Sequence, residues 1–206
     1  FKVEKTHPMH KLIHLLSACL LSGTLFSQHP EADKIETAKG PLTIQPIYHG
    51  SIVFTWDGKT IYVDPYHGAE GYKGMPDPDI ILLTDIHPDH LDLQTLAAIH
   101  TLKAIIVAPQ AVKDQLPDDL KNKTVMVPNG KSTTLLEIPI TAVPMYNLPA
   151  NPQAMHPKGR GNGYLLRLGD KTIYISGDTG DTQEMRALKG VDVAFVCMNM
   201  PYTMEV

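Results

Sequence analysis

At 206 residues, 43% hydrophobic and 19% charged, the chain is long enough to bury one sizeable core and too short for a second large domain. A formal net charge of −4, with no cluster of Lys or Arg, argues against the basic face that general nucleic-acid binding needs. The two cysteines, Cys19 and Cys197, lie far apart and outside any CxxC pair, which argues against a disulfide framework or a thiolate metal site and leaves His and Asp as ligands.

The chain opens with "FKVEKTHP", residues 1–8, which fit no targeting layout and read as an upstream extension of the reading frame. Residues 9–28 read as a signal peptide: Met9, a basic start at His10 and Lys11, the apolar run "LIHLLSACLLSGTLF", then small and polar residues. Cleavage is expected near Ser27 or Gln28, with export to the periplasm or the cell exterior. The apolar run, about 15 residues, falls short of the roughly 20 that span a bilayer, so no stable membrane insertion is expected after cleavage. "LSAC", ending at Cys19, resembles a bacterial lipobox and keeps a lipoprotein open as the second option.

Beyond the leader, "LTIQPIYHGSIVFTW", a "DG" turn and "KTIYVDP" predict a β-meander, because β-branched and aromatic residues flank a turn dipeptide. "GAEGYKGMPDPD" predicts a surface loop, and the wholly apolar "IILLT" a buried strand. Asp92 is placed as the N-cap of a helix in "LDLQTLAAIH". "KAIIVAP" reads as a strand, "QAVKDQL" as a helix and "KTVMVP" as a strand. "STTLLEIPITAVPMYN" reads as two strands broken at Pro139, "GYLLRLGDKTIYISGD" as a hairpin, "TQEMRAL" as a helix and "VDVAFVCM" as a last strand. Helices lying between more numerous strands make this an α/β chain.

Directly behind the buried strand stands "TDIHPDHLD", which carries Asp85, His87, Asp89, His90 and Asp92. Imidazole and carboxylate ligands so closely spaced converge only if the chain turns sharply, and Pro88 suits such a turn. His87 and His90 can then face neighbouring positions with Asp89 between them, the layout that two metals about 3.5–4 Å apart require.

"TDIHPDHLD" resembles the H-x-H-x-D-H signature of the metallo-β-lactamase superfamily, and "MHPKGRGNGYLL" and "ISGDTGD" resemble its later histidine and aspartate motifs, in order. The resemblance covers roughly residues 42–206, as a metallo-hydrolase domain, and is nearest the branch of the ascorbate-6-phosphate lactonase. It implies an αββα sandwich with two divalent ions, zinc or manganese with iron as a further option, along one edge. By position, His87 and His156 would hold the first ion, Asp89 and His90 the second, and Asp178 would bridge them.

Two departures stand out. Asp85 occupies the place of the signature's first histidine, making the first position harder and more negative, which favours manganese or iron over zinc if Asp85 ligates; a supporting role for it stays open. No histidine follows His156, so the second position lacks the superfamily's final ligand. The chain also stops before the closing helix and strand of the sandwich, which reads as a missing C-terminal part.

The expected activity is hydrolysis of an ester, lactone or phosphoester by a hydroxide held between the two ions, with Asp89 orienting it and passing its proton to the leaving group. The alternative is a non-catalytic relative that binds metal at a degenerate or incomplete site. The partner expected is a small-molecule substrate; Lys158 and Arg160 on the Gly-rich loop after His156, and His49 in "YHGS", are the candidate substrate contacts, and an anionic substrate would suit the two cations. Each of the three also reads as an ordinary loop or turn residue. Asp64 in "VDP" is expected to support the ligand loop through hydrogen bonds.

Overall fold

The computed structural model describes residues 29–204. The extension, signal peptide and lipobox expected within residues 1–28 lie outside that range.

Seven strands form the first sheet in chain order: β1 (Asp33–Thr37), β2 (Gly40–Tyr48), β3 (Ser51–Trp56), β4 (Lys59–Val63), β5 (Ile80–Leu82), β6 (Ile105–Ala108) and β7 (Thr124–Met126). The first four pair antiparallel, and β4 to β7 run parallel. The second sheet holds β8 (Ser132–Leu135), β9 (Ile138–Met145), β10 (Gly161–Leu168), β11 (Lys171–Ile175) and β12 (Val193–Phe195), antiparallel except for the parallel pair β11–β12.

Period-two alternation sorts the side chains. Ile52, Phe54, Ile61, Val63, Ile80 and Leu82 point between the sheets, where they meet Ile138, Ile140, Tyr164 and Leu166. Each such aliphatic side chain removed from water contributes about 1.5–3 kcal/mol. Val53, Tyr62, Ile81 and Ile106 point the other way, against Leu96, Val112 and Leu120 of the helices α1 (Leu93–Ala98), α2 (Gln110–Gln115) and α3 (Asp118–Lys121). Because β4 to β6 are covered on both faces, they read as continuous apolar runs. On the second sheet the single turn α4 (Gln183–Arg186) lies against β9. The layers are those of an αββα sandwich, with a slight outer layer over the second sheet among the described residues.

Three details differ from expectation. The first sheet starts at β1, before residue 42, because Asp33–Thr37 pairs along β2 through Ile35↔Leu42 and its neighbours. The break between β8 and β9 falls at Leu136 and Glu137, which adopt φ of +48° and +66° and make the hairpin turn, while Pro139 sits exposed one residue inside β9. The α3 turn was not expected at all; its only buried side chain is Leu120.

The loops after β2, β4, β5, β9 and β11 all emerge at one edge of the sandwich. Two bonds pin the sheets together there: Asn162 N–H donates to Thr84 O at 2.9 Å, and Tyr164 Oη donates to Leu83 O at 2.8 Å. Gly161 permits this approach, since a Cβ on it would meet Met145 Cε at 2.6 Å and Thr84 O at 2.9 Å.

Candidate metal centre

The loop after β5 is closed by its own backbone. His87 O accepts from His90 N–H at 2.9 Å and Leu91 N–H at 2.8 Å, and Asp92 ends it as the N-cap of α1, accepting from Gln94 N–H and Thr95 N–H at 3.0 and 3.1 Å. This turn drives His90 inward, where it is 3% exposed.

Asp64, buried at the end of β4, carries φ +38° and faces the loop. It accepts from Thr84 N–H at 2.8 Å, from Thr84 Oγ1 at 2.5 Å and from His90 Nδ1 at 2.8 Å. A carboxylate on Nδ1 sets the proton there and turns the lone pair of Nε2 outward, the usual preparation of a metal-binding histidine. Asp64 thus stands where the expected support of the ligand loop should be.

His90 Nε2 is buried without a hydrogen-bond partner among the described residues, and so is His156 Nε2. Both are aimed at Asp178: its Oδ2 is 3.3 Å from His90 Nε2 and 3.4 Å from His156 Nε2. His156, in the loop between β9 and β10, is oriented by Asn147, whose Oδ1 lies 3.2 Å from His156 Nδ1. Buried polar atoms rarely go unpaired. Two orphaned imidazole nitrogens converging on a carboxylate fit a cation.

Ligand atoms of Asp89, His90 and Asp178 lie within 4.8 Å of one another, as do those of Asp85, His87 and His156. The six residues expected as metal ligands therefore gather at one place, in two groups. Burial opposes charge on His90, but Asp64 and Asp178 outweigh it and raise its pKa well above the ordinary imidazole value, so a cation binding at Nε2 would displace a proton there. Burial likewise pushes Asp178 up, but the two imidazoles beside it, His156 and His90, outweigh it and hold the carboxylate well below its usual range.

Two members of the first group, Asp85 and His87, are already engaged. Asp85, fully buried, accepts from Arg160 Nε at 3.0 Å and from Nη2 at 2.7 Å, and Nη2 also lies 3.2 Å from His87 Nε2. Burial lowers the pKa of His87, and the Arg160 guanidinium and His156 press it the same way against the pull of Asp85.

The remaining candidates fall around the edge. His49 places Nε2 3.0 Å from Asp89 Oδ2. Lys158 turns to Glu184, with Nζ 2.6 Å from Oε1, and lies over the ring of Tyr146, so its charge is committed there. The roles of Asn147 and of Arg160 as the partner of Asp85 escaped the sequence reading. A carboxylate in a histidine's place, in a buried loop, is the signal that a fixed cation must lie near. A cleft of about 310 Å³ opens beside His90 and Asp178, with Ile52, Ile175, Phe195 and Met198 on its apolar side.

Known proteins resemble this chain in sequence and in fold. Residues 43–206 match the family model of the beta-lactamase superfamily domain. A UPF0173 metal-dependent hydrolase from Ligilactobacillus salivarius is 30% identical over 164 residues, covering 76% of this chain and 72% of the relative. One from Pyrococcus horikoshii is 30% identical over 168 residues, covering 76% and 73%. Among solved structures, a protein from Parabacteroides distasonis described as a metal-dependent hydrolase superposes with a TM-score of 0.76 at 37% identity, covering 85% of this chain and 78% of that one. With the family model, the relatives and the sandwich fold in agreement, the chain belongs to the metallo-β-lactamase superfamily, among its metal-dependent hydrolases.

Proposed function

We propose that the chain hydrolyses a small ester, lactone or phosphoester with a divalent cation held by Asp89, His90 and Asp178. The observation that carries this reading is the pair of orphaned buried nitrogens, His90 Nε2 and His156 Nε2, on either side of the Asp178 carboxylate. A divalent ion bound there supplies Lewis acidity: it lowers the pKa of a water toward neutrality and polarises a carbonyl or phosphoryl oxygen. Mixed imidazole and carboxylate donors suit zinc or manganese, with iron also compatible.

In this reading Asp89 moves the proton. It is partly exposed, and His49 Nε2 lies 3.0 Å from it, so the pair can take a proton from water and return it to a leaving group. Asp64 and Asn147 fix the rings of His90 and His156. The adjoining cleft, of about 310 Å³, suits a small molecule with an apolar part. The two-ion form expected from the sequence needs a further cation among Asp85, His87 and His156, where Arg160 already stands. The leader pattern in residues 9–28 supports a substrate met outside the cytoplasm.

The test is metal per chain by elemental analysis, with turnover on a panel of esters, lactones and phosphodiesters, for the native protein and for His90→Ala and Asp178→Ala. Loss of both metal and turnover in variants that keep their circular dichroism is expected. Metal retained by both variants, or turnover that survives metal removal, sinks the reading.

A further inference from the structure

We infer that the Arg160 guanidinium takes the place of the first metal ion, so that the centre holds one exchangeable cation, on Asp89, His90 and Asp178, beside a fixed organic one. The inference rests on the proposed function in that it takes those three residues as the metal ligands.

The geometry of the first group carries it. Both oxygens of Asp85 are engaged by the guanidinium, Oδ1 with Nε at 3.0 Å and Oδ2 with Nη2 at 2.7 Å, the side-on fork that suits a carboxylate. Arg160 can only donate, so His87 Nε2, 3.2 Å from Nη2, offers it the same lone pair a metal would need. Zinc bonds imidazole nitrogen at about 2.0–2.1 Å, along that lone pair, so ion and guanidinium cannot share it.

Charge leads to the same conclusion. A histidine in the place of Asp85 would bring no charge to the group, whereas Asp85 brings a buried anion, 0% exposed, which Arg160 neutralises. A divalent ion added to this pair would face the positive charge of the guanidinium.

The guanidinium is also built in rather than draped over the surface. Its side chain is 19% exposed, and its backbone leads into Gly161, where contact with Met145 and Thr84 leaves no room for a Cβ. The Arg160 N–H donates to Pro157 O at 3.3 Å. The strand start that pins the two sheets therefore also sets the root of this side chain.

The experiment is to saturate the metal-free full chain with zinc, remove the excess by gel filtration, and count zinc per chain in the native protein, in Arg160→Ala, and in the double variant Asp85→His Arg160→Ala. The double variant guards against misfolding from an unpaired buried Asp85, since it removes both charges. One zinc in the native chain and two in either folded variant is the expected result. Two in the native chain, or one in native and variants alike, overturns the inference while leaving the hydrolase reading intact. None in the native chain overturns both.

Discussion

A ligand is only as good as the atom behind it. Asp64 holds the Nδ1 proton of His90 and thereby decides which nitrogen presents a lone pair. In Asp64→Asn the amide can still accept from Thr84 N–H while its NH₂ group donates to His90 Nδ1, and the proton then moves to Nε2. Metal affinity is expected to fall about 10–100-fold, the usual cost of losing such an outer hydrogen bond, with little change in the far-ultraviolet dichroism. Competition with a chromophoric chelator measures it; unchanged affinity would show that Asp64 serves packing alone. The left-handed backbone of Asp64, at φ +38°, is the kind of local strain that a surrounding structure sustains where a side chain must be aimed.

At the scale of elements, the short loop between β5 and α1 needs a firm end, and Asp92 provides it. Its carboxylate takes four hydrogen bonds, from Gln94 N–H, Thr95 N–H, Thr95 Oγ1 and His67 N–H, and burial, which pushes its pKa up, is outweighed by these bonds, so the pKa lies below the usual carboxylate value. A depressed pKa means that the cap contributes fully above the unfolded value of about 3.9 and is lost as pH falls through the lower folded value. Asp92→Ala is therefore expected to cost about 0.5–2 kcal/mol in urea unfolding at pH 7, with the gap to the native protein narrowing below about pH 4. A constant gap across that range would mean that the loss comes from packing and not from the charged cap. This cap was legible in the sequence, as were β2 to β7 and the β10–β11 hairpin, because each signal is local: alternation, a turn dipeptide, an acid before an apolar helix stripe. The edge strand β1, "DKIET", was not legible, since its polar side chains face water and only its pairing with β2 makes it a strand. Arg160 was read as a substrate contact because its partner Asp85 is 75 residues away, a pairing that no local pattern encodes. The six candidate ligands stand out through the order of three motifs, whereas Asn147, an amide nine residues before His156, carries no such mark.

For the whole molecule, the centre lies across the seam of the sandwich. Asp89 and His90 come from the loop after β5 in the first sheet, while Asp178 follows β11 and His156 precedes β10 in the second. An ion bound by Asp89, His90 and Asp178 joins the two sheets at the edge where Asn162 and Tyr164 already bond to Thr84 and Leu83. The unfolded chain, with these residues scattered over roughly ninety positions, holds no such site. Binding to the native state alone at a hundredfold excess over Kd stabilises by about 2.7 kcal/mol. For a chain of this size each kcal/mol raises Tm by about 2–4 °C, so saturating metal should raise it by about 5–10 °C and a chelator should return it. Differential scanning fluorimetry with and without zinc measures the shift, and Asp178→Ala should abolish it. A shift of equal size in that variant would place the stabilising ion elsewhere on this acidic chain. A native shift that Asp178→Ala abolishes would establish that the same carboxylate that completes the centre also clamps the halves of the fold.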